Sequence, residues 1–406
     1  MSRRTVLILA YHFLPSTLSG ALRPYRFYKY LPRAGYQATV LTSTGGANER
    51  PNVYSLPSAE ALSKWSPQGM AERLLVRFAF QFELGLPWIQ AATSKAIEIH
   101  EKEPFAAVFS TFPPVAAHLV AARLQRKLGM PWVADFRDPL SGNPFRAQKG
   151  LPAWVDQNLE RYVFNHAQAV IANTDTVAAR WRSNYPEHKE KVHLIWNGFD
   201  PEDVVPQGDP PADGVRTLAH FGWIYGDRHP GLLLESVARL IDNGLLSPQL
   251  FRILLQGSME GAYLEWNPEL RKRLTRLGCL EERNFMLPRE EMQKLQSTAH
   301  YQLIIDLPGE KPSAQVPGKL FEYLQIGRPI LALTVRNSAM DRLMEQAGIP
   351  SSCIYYGMRD EQVDEAVLRL LAMPPVSSSM NLAFARNFNG VQQADTLARI
   401  VDQIRR

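Results

Sequence analysis

The sequence predicts an α/β protein made of two tandem, doubly wound parallel-sheet domains. Three observations carry that expectation. The chain has 406 residues, more than a single hydrophobic core usually organises. Short apolar runs of strand composition alternate with amphipathic stretches of helical period along its whole length. The alternation closes near residue 200 and starts again just after it, which sets the expected boundaries: residues 1–200, residues 201–380, and a tail, 381–406, that crosses back onto the first domain.

The elements follow in order. "TVLILAY" (Thr5 to Tyr11) is a continuous apolar run, as a strand covered on both faces must be. Ala21 to Ala34 reads as a helix, then "QATVLTS" as a strand; residues 45 to 85 read as irregular to helical. Trp88 to Lys102, Val115 to Leu128, Leu151 to His166 and Val177 to Asn184 have helical period, and "FAAVFST", "PWVADF", "AVIANT" and "VHLIWNGFD" are the strands between and after them. In the second half "RTLAHFG", "FRILLQG", "NFML", "YQLIID", "PILAL" and "CIYYG" read as strands. Helices are expected over Pro230 to Asn243, Glu265 to Leu277, Arg289 to Ser297, Gly318 to Ile326, Met340 to Gln346, Asp360 to Ala372 and Leu382 to Ile404. Pro317 suits a first helical turn, Gly327 the left-handed residue past its end, and Pro329 stops the helix from continuing.

Bulk properties exclude several classes. Hydrophobic residues make up 45% and charged ones 21%, ordinary for a soluble globular chain. No apolar run approaches the roughly 18 residues of a membrane-spanning helix, and Val6 to Ala10 is too short for a signal-peptide core. Cys279 and Cys353 are the only cysteines and lie far apart, against a disulfide scaffold or a cysteine zinc site, so the cytoplasm is the natural compartment. No cluster of metal ligands is legible. Residues 1–200 hold 23 Lys+Arg against 15 Asp+Glu, a net of +8; residues 201–406 hold 22 against 25, a net of −3. A basic first half points to an anionic partner or surface, while no basic helix or aromatic-studded sheet speaks for nucleic acid.

In open α/β sheets, ligands bind at the carboxyl ends of the strands, where this chain keeps its unusual residues. After the first strand, "HFLPSTLSGALRP" brings Gly20 before a helix and Arg23 into its first turn, suited to close backbone approach and to a phosphate. "STFPPVAAH" sets His118 near the positive end of a helix dipole, where an imidazole tends to stay neutral. It is either a satisfied structural histidine or one facing a ligand. "VADFRDPL" ends a strand in Asp135, Arg137 and Asp138; alternation sends the first two one way and Asp138 the other, and part of the group reads as a structural Arg–Asp pair. In the second half "FGWIYGDRHPG" combines Gly222, Arg228 and a helix start, and "LLQGS" adds Gly257. "VPGKLFEYLQIG" opens a helix with Gly318 and Lys319, and Glu322 stands one turn on. Arg228 and Lys319, at strand ends of one domain, are expected to converge on one diphosphate. No G-x-G-x-x-G follows any strand, so the dinucleotide fingerprint is absent.

Taken in order, "AYHFLP…GALRP", "GYQATVLTS", "STFPPVAAH", "WVADFRDP", "VIANT", "IWNGFD", "FGWIYGDR" and "VPGKLFEYLQIGRPILAL" resemble the retaining glycosyltransferases of family 4, over nearly the whole chain. That resemblance implies the GT-B fold, two Rossmann-like domains facing across a cleft, and a nucleotide-sugar co-substrate, UDP- or GDP-linked, with no further cofactor and no metal. Carried over by position, Gly20, Arg23, Gly222, Arg228, Gly318 and Lys319 bind the donor diphosphate. Glu322 binds the ribose hydroxyls, and the backbone at Met286 and Leu287 meets the base. His118 and Asp138 are the residues expected beside the reacting sugar. The acceptor implied is a hydroxyl of a glycan or lipid-linked glycan. In such enzymes retention is thought to go by front-face attack, with the diphosphate drawing the acceptor proton, so no protein nucleophile is required.

One departure stands out. The family signature is a glutamate, seven residues and a second glutamate; Glu322 is the second, and Ala314 occupies the place of the first. The change implies an altered sugar contact, with Asp306, Glu310 or Gln315 as substitutes, and leaves open a catalytically silent nucleotide-sugar-binding subunit. A nucleotide-sugar epimerase of the GT-B fold is a further alternative. "WSPQGMAERLLVRFAFQFELGLPW" (Trp65 to Trp88), rich in Leu, Phe and Trp with Arg73 and Arg77, reads either as a core helix or as a segment lying on an anionic membrane, which would set the protein on the inner face of the cell membrane.

Overall fold

The computed structural model describes residues 4–16, 19–56, 86–144, 146, 148–203, 205–206, 208–309 and 314–405. Residues 65–85 of the Leu-, Phe- and Trp-rich segment, with Arg73 and Arg77, and Glu310 lie outside them. The chain divides into two compact units: unit 1 is Met1–Pro201 with Asn387–Arg406, and unit 2 is Glu202–Arg386.

Unit 1 is built on a fully parallel sheet in the order β3-β2-β1-β4-β5-β6-β7. The strands are β1 (Arg4–Leu9), β2 (Tyr36–Thr42), β3 (Val53–Ser55), β4 (Phe105–Phe112), β5 (Trp132–Phe136), β6 (Ala169–Ala172) and β7 (Val192–Leu194). The helices are α1 (Leu22–Tyr30), α2 (Leu86–Lys102), α3 (Ala116–Leu128), α4 (Gly150–His166) and α5 (Asp175–Asn184). The order reverses between β1 and β4, so the crevice of the doubly wound fold opens there. β1 is buried at every position after Arg4, as a central parallel strand must be.

Unit 2 repeats the plan with strands in the order β10-β9-β8-β11-β12-β13, again parallel, and its switch point falls between β8 and β11. They are β8 (Arg216–Phe221), β9 (Phe251–Gln256), β10 (Leu280–Arg283), β11 (Tyr301–Ile305), β12 (Ile330–Thr334) and β13 (Ser351–Tyr355). The helices are α6 (Gly231–Asp242), α7 (Ala262–Glu265), α8 (Pro268–Arg276), α9 (Arg289–Thr298), α10 (Lys319–Ile326), α11 (Ala339–Ala347) and α12 (Asp360–Ala372), followed by α13 (Leu382–Phe388) and α14 (Gly390–Ile404).

Three expectations fail locally. "NFML" is not a strand: β10 is Leu280–Arg283, and Phe285 and Met286 stand exposed beyond it. The helix expected over 265–277 is two helices, because Asn267 turns left-handed (φ 34°) and caps a new start at Pro268. The tail is likewise two helices, broken where the Asn389 side chain caps α14. α14 returns to unit 1, and its Ala394, Leu397, Ile400 and Val401 join Phe27, Tyr30 and Leu31 in that core.

Candidate functional site

In unit 1 three of the expected residues turn out to be structural. Arg23 is buried, and its guanidinium is consumed from within. Its Nε donates to both oxygens of Asp135 (3.0 and 3.2 Å), its Nη2 to Asp135 (2.7 Å) and to the Ile195 carbonyl (2.8 Å), and its Nη1 to the Trp196 carbonyl (2.6 Å). Thr111 also donates to Asp135, at 2.7 Å. Arg23 is therefore a tie between α1, the end of β5 and the chain past β7, not a phosphate ligand. Asp135 pairs with Arg23 and not with Arg137, because both sit fully buried, where a lone carboxylate would be costly.

His118 is sealed. Its Nδ1 shares a hydrogen bond of 2.7 Å with Ser110, which also accepts from the Trp132 indole, and Phe112, Trp132 and Phe136 surround the ring. Burial pushes its pKa down to about 3, so the imidazole is neutral. The neutral state expected of it is present, the cause is burial in an aromatic cage, and its Nε2 is buried with no hydrogen-bond partner. Gly20 answers to a neighbour: a Cβ there would lie 1.8 Å from Arg137 Nη1, so the glycine makes room for that guanidinium. Arg137 is half-buried, its Nε donating to the Phe112 carbonyl at 3.1 Å. His12, mainly through burial and then through Arg137, is held neutral with a pKa of about 4. Asp138 is half-buried at the same strand end.

Unit 2 brings its residues together. Gly222 follows β8 with φ 132°, and a Cβ on it would lie 2.2 Å from Lys319 Cε and 2.9 Å from Nζ; the lysine crosses directly over the glycine. Gly257, after β9, has φ 145°, and its Cβ would meet the Gly222 carbonyl oxygen at 2.2 Å. Lys319 reaches this place because α10 is fastened to β8: the Phe221 amide donates to the Tyr323 hydroxyl (3.1 Å), and Leu320, Phe321, Tyr323, Leu324 and Ile326 bury the helix's inner face. The amine thus sits at the helix N-terminus and over the switch-point strand. Burial lowers its pKa, Glu322 one turn on raises it and Arg289 lowers it.

Arg228 lies three residues before α6, its guanidinium 4.9 Å from the Tyr225 ring centre and its Nε buried with no hydrogen-bond partner. His220, on β8 beneath this corner, takes a hydrogen bond to the Leu303 carbonyl (3.0 Å). Burial first, then Lys319 and Arg228, bring its pKa to about 3. Both cations act on this one buried ring. Gly318 is exposed with open space around it. Glu322 is half-exposed, 3.9 Å from Arg289 and 3.5 Å from the Gln296 amide. Met286 is exposed and Leu287 half-exposed beyond β10, with Phe285 beside them. Ala314 is buried.

The sequence reading missed His220, whose environment depends on the partner strand β11, and the Arg289 partner of Glu322 on α9. Among the described residues, no three His, Cys, Asp or Glu side chains gather as metal ligands would. No helix among them is long and apolar enough to cross a membrane.

Residues 23–203 match the sequence model of Glycosyltransferase Family 4. A D-inositol 3-phosphate glycosyltransferase of Corynebacterium urealyticum is 23% identical over 188 residues, 43% of this chain and 43% of that protein, so the chain spans under half the length of this curated relative. Anabaena Alr3699/HepE, solved with UDP and glucose, superposes with a TM-score of 0.65 at 16% identity over 98% of this chain and 100% of that one. Sucrose-phosphate synthase of Thermosynechococcus elongatus gives 0.62 at 13% over 99% and 97%. These likenesses show the fold, the two-domain α/β GT-B type that the two parallel sheets already display. The match over residues 23–203 makes that stretch, under half of the chain, similar to Glycosyltransferase Family 4.

Proposed function

We propose that the protein is a glycosyltransferase that takes its sugar from a nucleotide-sugar donor held by unit 2. The reading extends to transfer with retention onto a hydroxyl of a glycan or lipid-linked glycan, as cell-surface polysaccharide synthesis requires. One observation carries it: Lys319, crossing Gly222 at the start of α10, and Arg228, with its unpartnered buried Nε, both act on His220 of β8, the strand at the switch point. Two cations and a helix N-terminus over paired glycines suit a diphosphate, whose charge grows as the glycosidic bond breaks; fixed charges that meet it there lower the barrier without reorganisation. Glu322, one turn further, is placed to accept from ribose hydroxyls, and the exposed Phe285 and Met286 offer apolar surface to a base. The Anabaena relative was solved with UDP and glucose, which supports a uridine donor. Among the described residues, Asp306 is the carboxylate at this strand end that answers for the missing glutamate at Ala314.

The test is thermal stability against UDP, GDP, ADP and their glucose and mannose derivatives, with chelator present, for wild type and Lys319→Ala. A ligand at a hundred times its Kd adds roughly 2.7 kcal/mol. One nucleotide family is expected to raise Tm, and Lys319→Ala to weaken its binding about 10- to 100-fold, the loss of one charge-assisted contact. No shift with any nucleotide would overturn the reading. Slow donor hydrolysis without acceptor is expected as well; a donor that binds and is never hydrolysed or transferred would mark a silent binding subunit instead.

A further inference from the structure

At the carboxyl end of β11, the strand beside β8 at the switch point, Asp306 is buried, with 1% of its surface exposed. Buried carboxylates are normally paired with a cation, and this one is not: among the described residues no lysine, arginine or histidine comes within ion-pair distance of it. Its Oδ1 accepts from the Leu307 amide at 2.8 Å, and its Oδ2 has the Thr334 hydroxyl at 3.4 Å, at the far limit of a hydrogen bond. That hydroxyl is shared with Ser338 at 2.9 Å. The Tyr356 phenol, from the loop after β13, spends its proton on the backbone carbonyl of Asp306, not on the carboxylate. The one cation acting on the carboxylate is Arg228, through space. Lys319, on α10, acts on His220 of β8, which is held neutral by burial. Asp306 is thus an under-satisfied acid in the field of a cation that the donor is expected to engage.

We propose that Asp306 is a proton-exchanging residue of the donor site: when a nucleotide-sugar diphosphate engages Arg228, the Asp306 carboxylate takes up one proton from solvent. The inference rests on the nucleotide-sugar reading above. Two effects act in the same direction. The diphosphate adds negative charge beside the carboxylate, and it neutralises the cation that had been stabilising the ionised form. Burial already holds the pKa of Asp306 at about 6 in the free protein, so the group is mostly ionised at pH 7, and a rise of one to two units on binding leaves it roughly half to nine-tenths protonated. Protonation turns an acceptor into a donor of a hydrogen bond and removes a charge that would repel the phosphates. The solvent proton goes to the carboxylate oxygen, and no other bond changes.

The probes are UDP-glucose, GDP-mannose and ADP-glucose, whose diphosphate esters have no ionisation of their own near neutrality. Titration calorimetry at pH 7 in buffers of different ionisation enthalpy reads the protons exchanged. Wild type is expected to take up about 0.4 to 0.8 of a proton per donor bound, and its affinity to fall by up to about tenfold per pH unit from pH 7 to pH 8. Asp306→Asn, a neutral isostere, is expected to bind the same donor with no uptake and a flat pH profile. Thr334→Val, which removes a hydrogen bond to the ionised form, should move the wild-type profile to higher pH. Donor binding in wild type without buffer-dependent heat overturns the inference alone, whatever the variants do. Uptake that persists in Asp306→Asn also overturns it and assigns the proton to another group. Binding of none of the three donors at any pH overturns the inference and the nucleotide-sugar reading together.

Discussion

Gly222 and Gly318 differ in what holds them, though the sequence marks both as diphosphate glycines. Gly222 holds φ 132°, and its Cβ would push on the end of Lys319, whereas Gly318 has helical φ of −57° and open space where a Cβ would go. Gly222→Ala therefore carries two costs, backbone strain of about 1–3 kcal/mol and displacement of the ammonium from the corner it shares with Arg228. Gly318→Ala carries neither, and stiffening the unfolded chain is worth roughly 0.4–1 kcal/mol in its favour. The expected outcome is a Tm several degrees lower and a nucleotide affinity as weak as that of Lys319→Ala for the first, and an unchanged or raised Tm for the second. A Gly222→Ala protein that melts and binds like wild type would remove the close approach from the account. Arg23 and Asp135 teach the converse lesson. Spacing made Arg23 look like a phosphate residue, but its partners are 112 and more residues away, and only the folded sheet supplies them.

At the scale of the element, the strands and helices that build the two sheets were legible because central parallel strands are apolar at nearly every position and cannot be mistaken for anything exposed. β1, β4, β11 and β12 are of this kind. Edge elements were not: β10 is "LEER", polar enough to look like a loop, while the apolar "NFML" after it is surface. In the site, Gly222, Arg228 and Lys319 were legible because each sits beside a local landmark, a strand end or a helix start. His118 was not, because its aromatic cage comes from β4, β5 and the indole of Trp132. The last helix shows how a distant segment can be integral to a unit. Leu397 of α14 is fully buried in the core of unit 1. Leu397→Ala should cost about 2–5 kcal/mol in urea unfolding, the range for a large-to-small change in a packed core. A loss below about 1 kcal/mol would mean that α14 is laid on the surface and contributes little.

For the whole molecule, the two units differ in how the chain makes them. Unit 2 is one uninterrupted segment, Glu202–Arg386, with its own parallel sheet and its own core from Leu218 to Leu370. Unit 1 is discontinuous, and its core includes side chains from beyond residue 390. The charge divides along the same line, the first half basic and the second mildly acidic, so the corner proposed for the diphosphate lies in the less basic half, and its positive charge comes from Arg228, Lys319 and the start of α10 and not from net charge. From this follows a prediction about fragments. Residues 202–386 expressed alone should fold cooperatively, since every strand and every buried core residue of that unit is present. The fragment should also show a nucleotide-dependent rise in Tm that Lys319→Ala abolishes, because the glycine pair, both cations and Glu322 all belong to it. Residues 1–201 expressed alone should fail to give a cooperative transition, and adding the 387–406 peptide should restore one. A folded 202–386 fragment that ignores the nucleotide bound by the full chain would overturn the assignment of the donor site to unit 2.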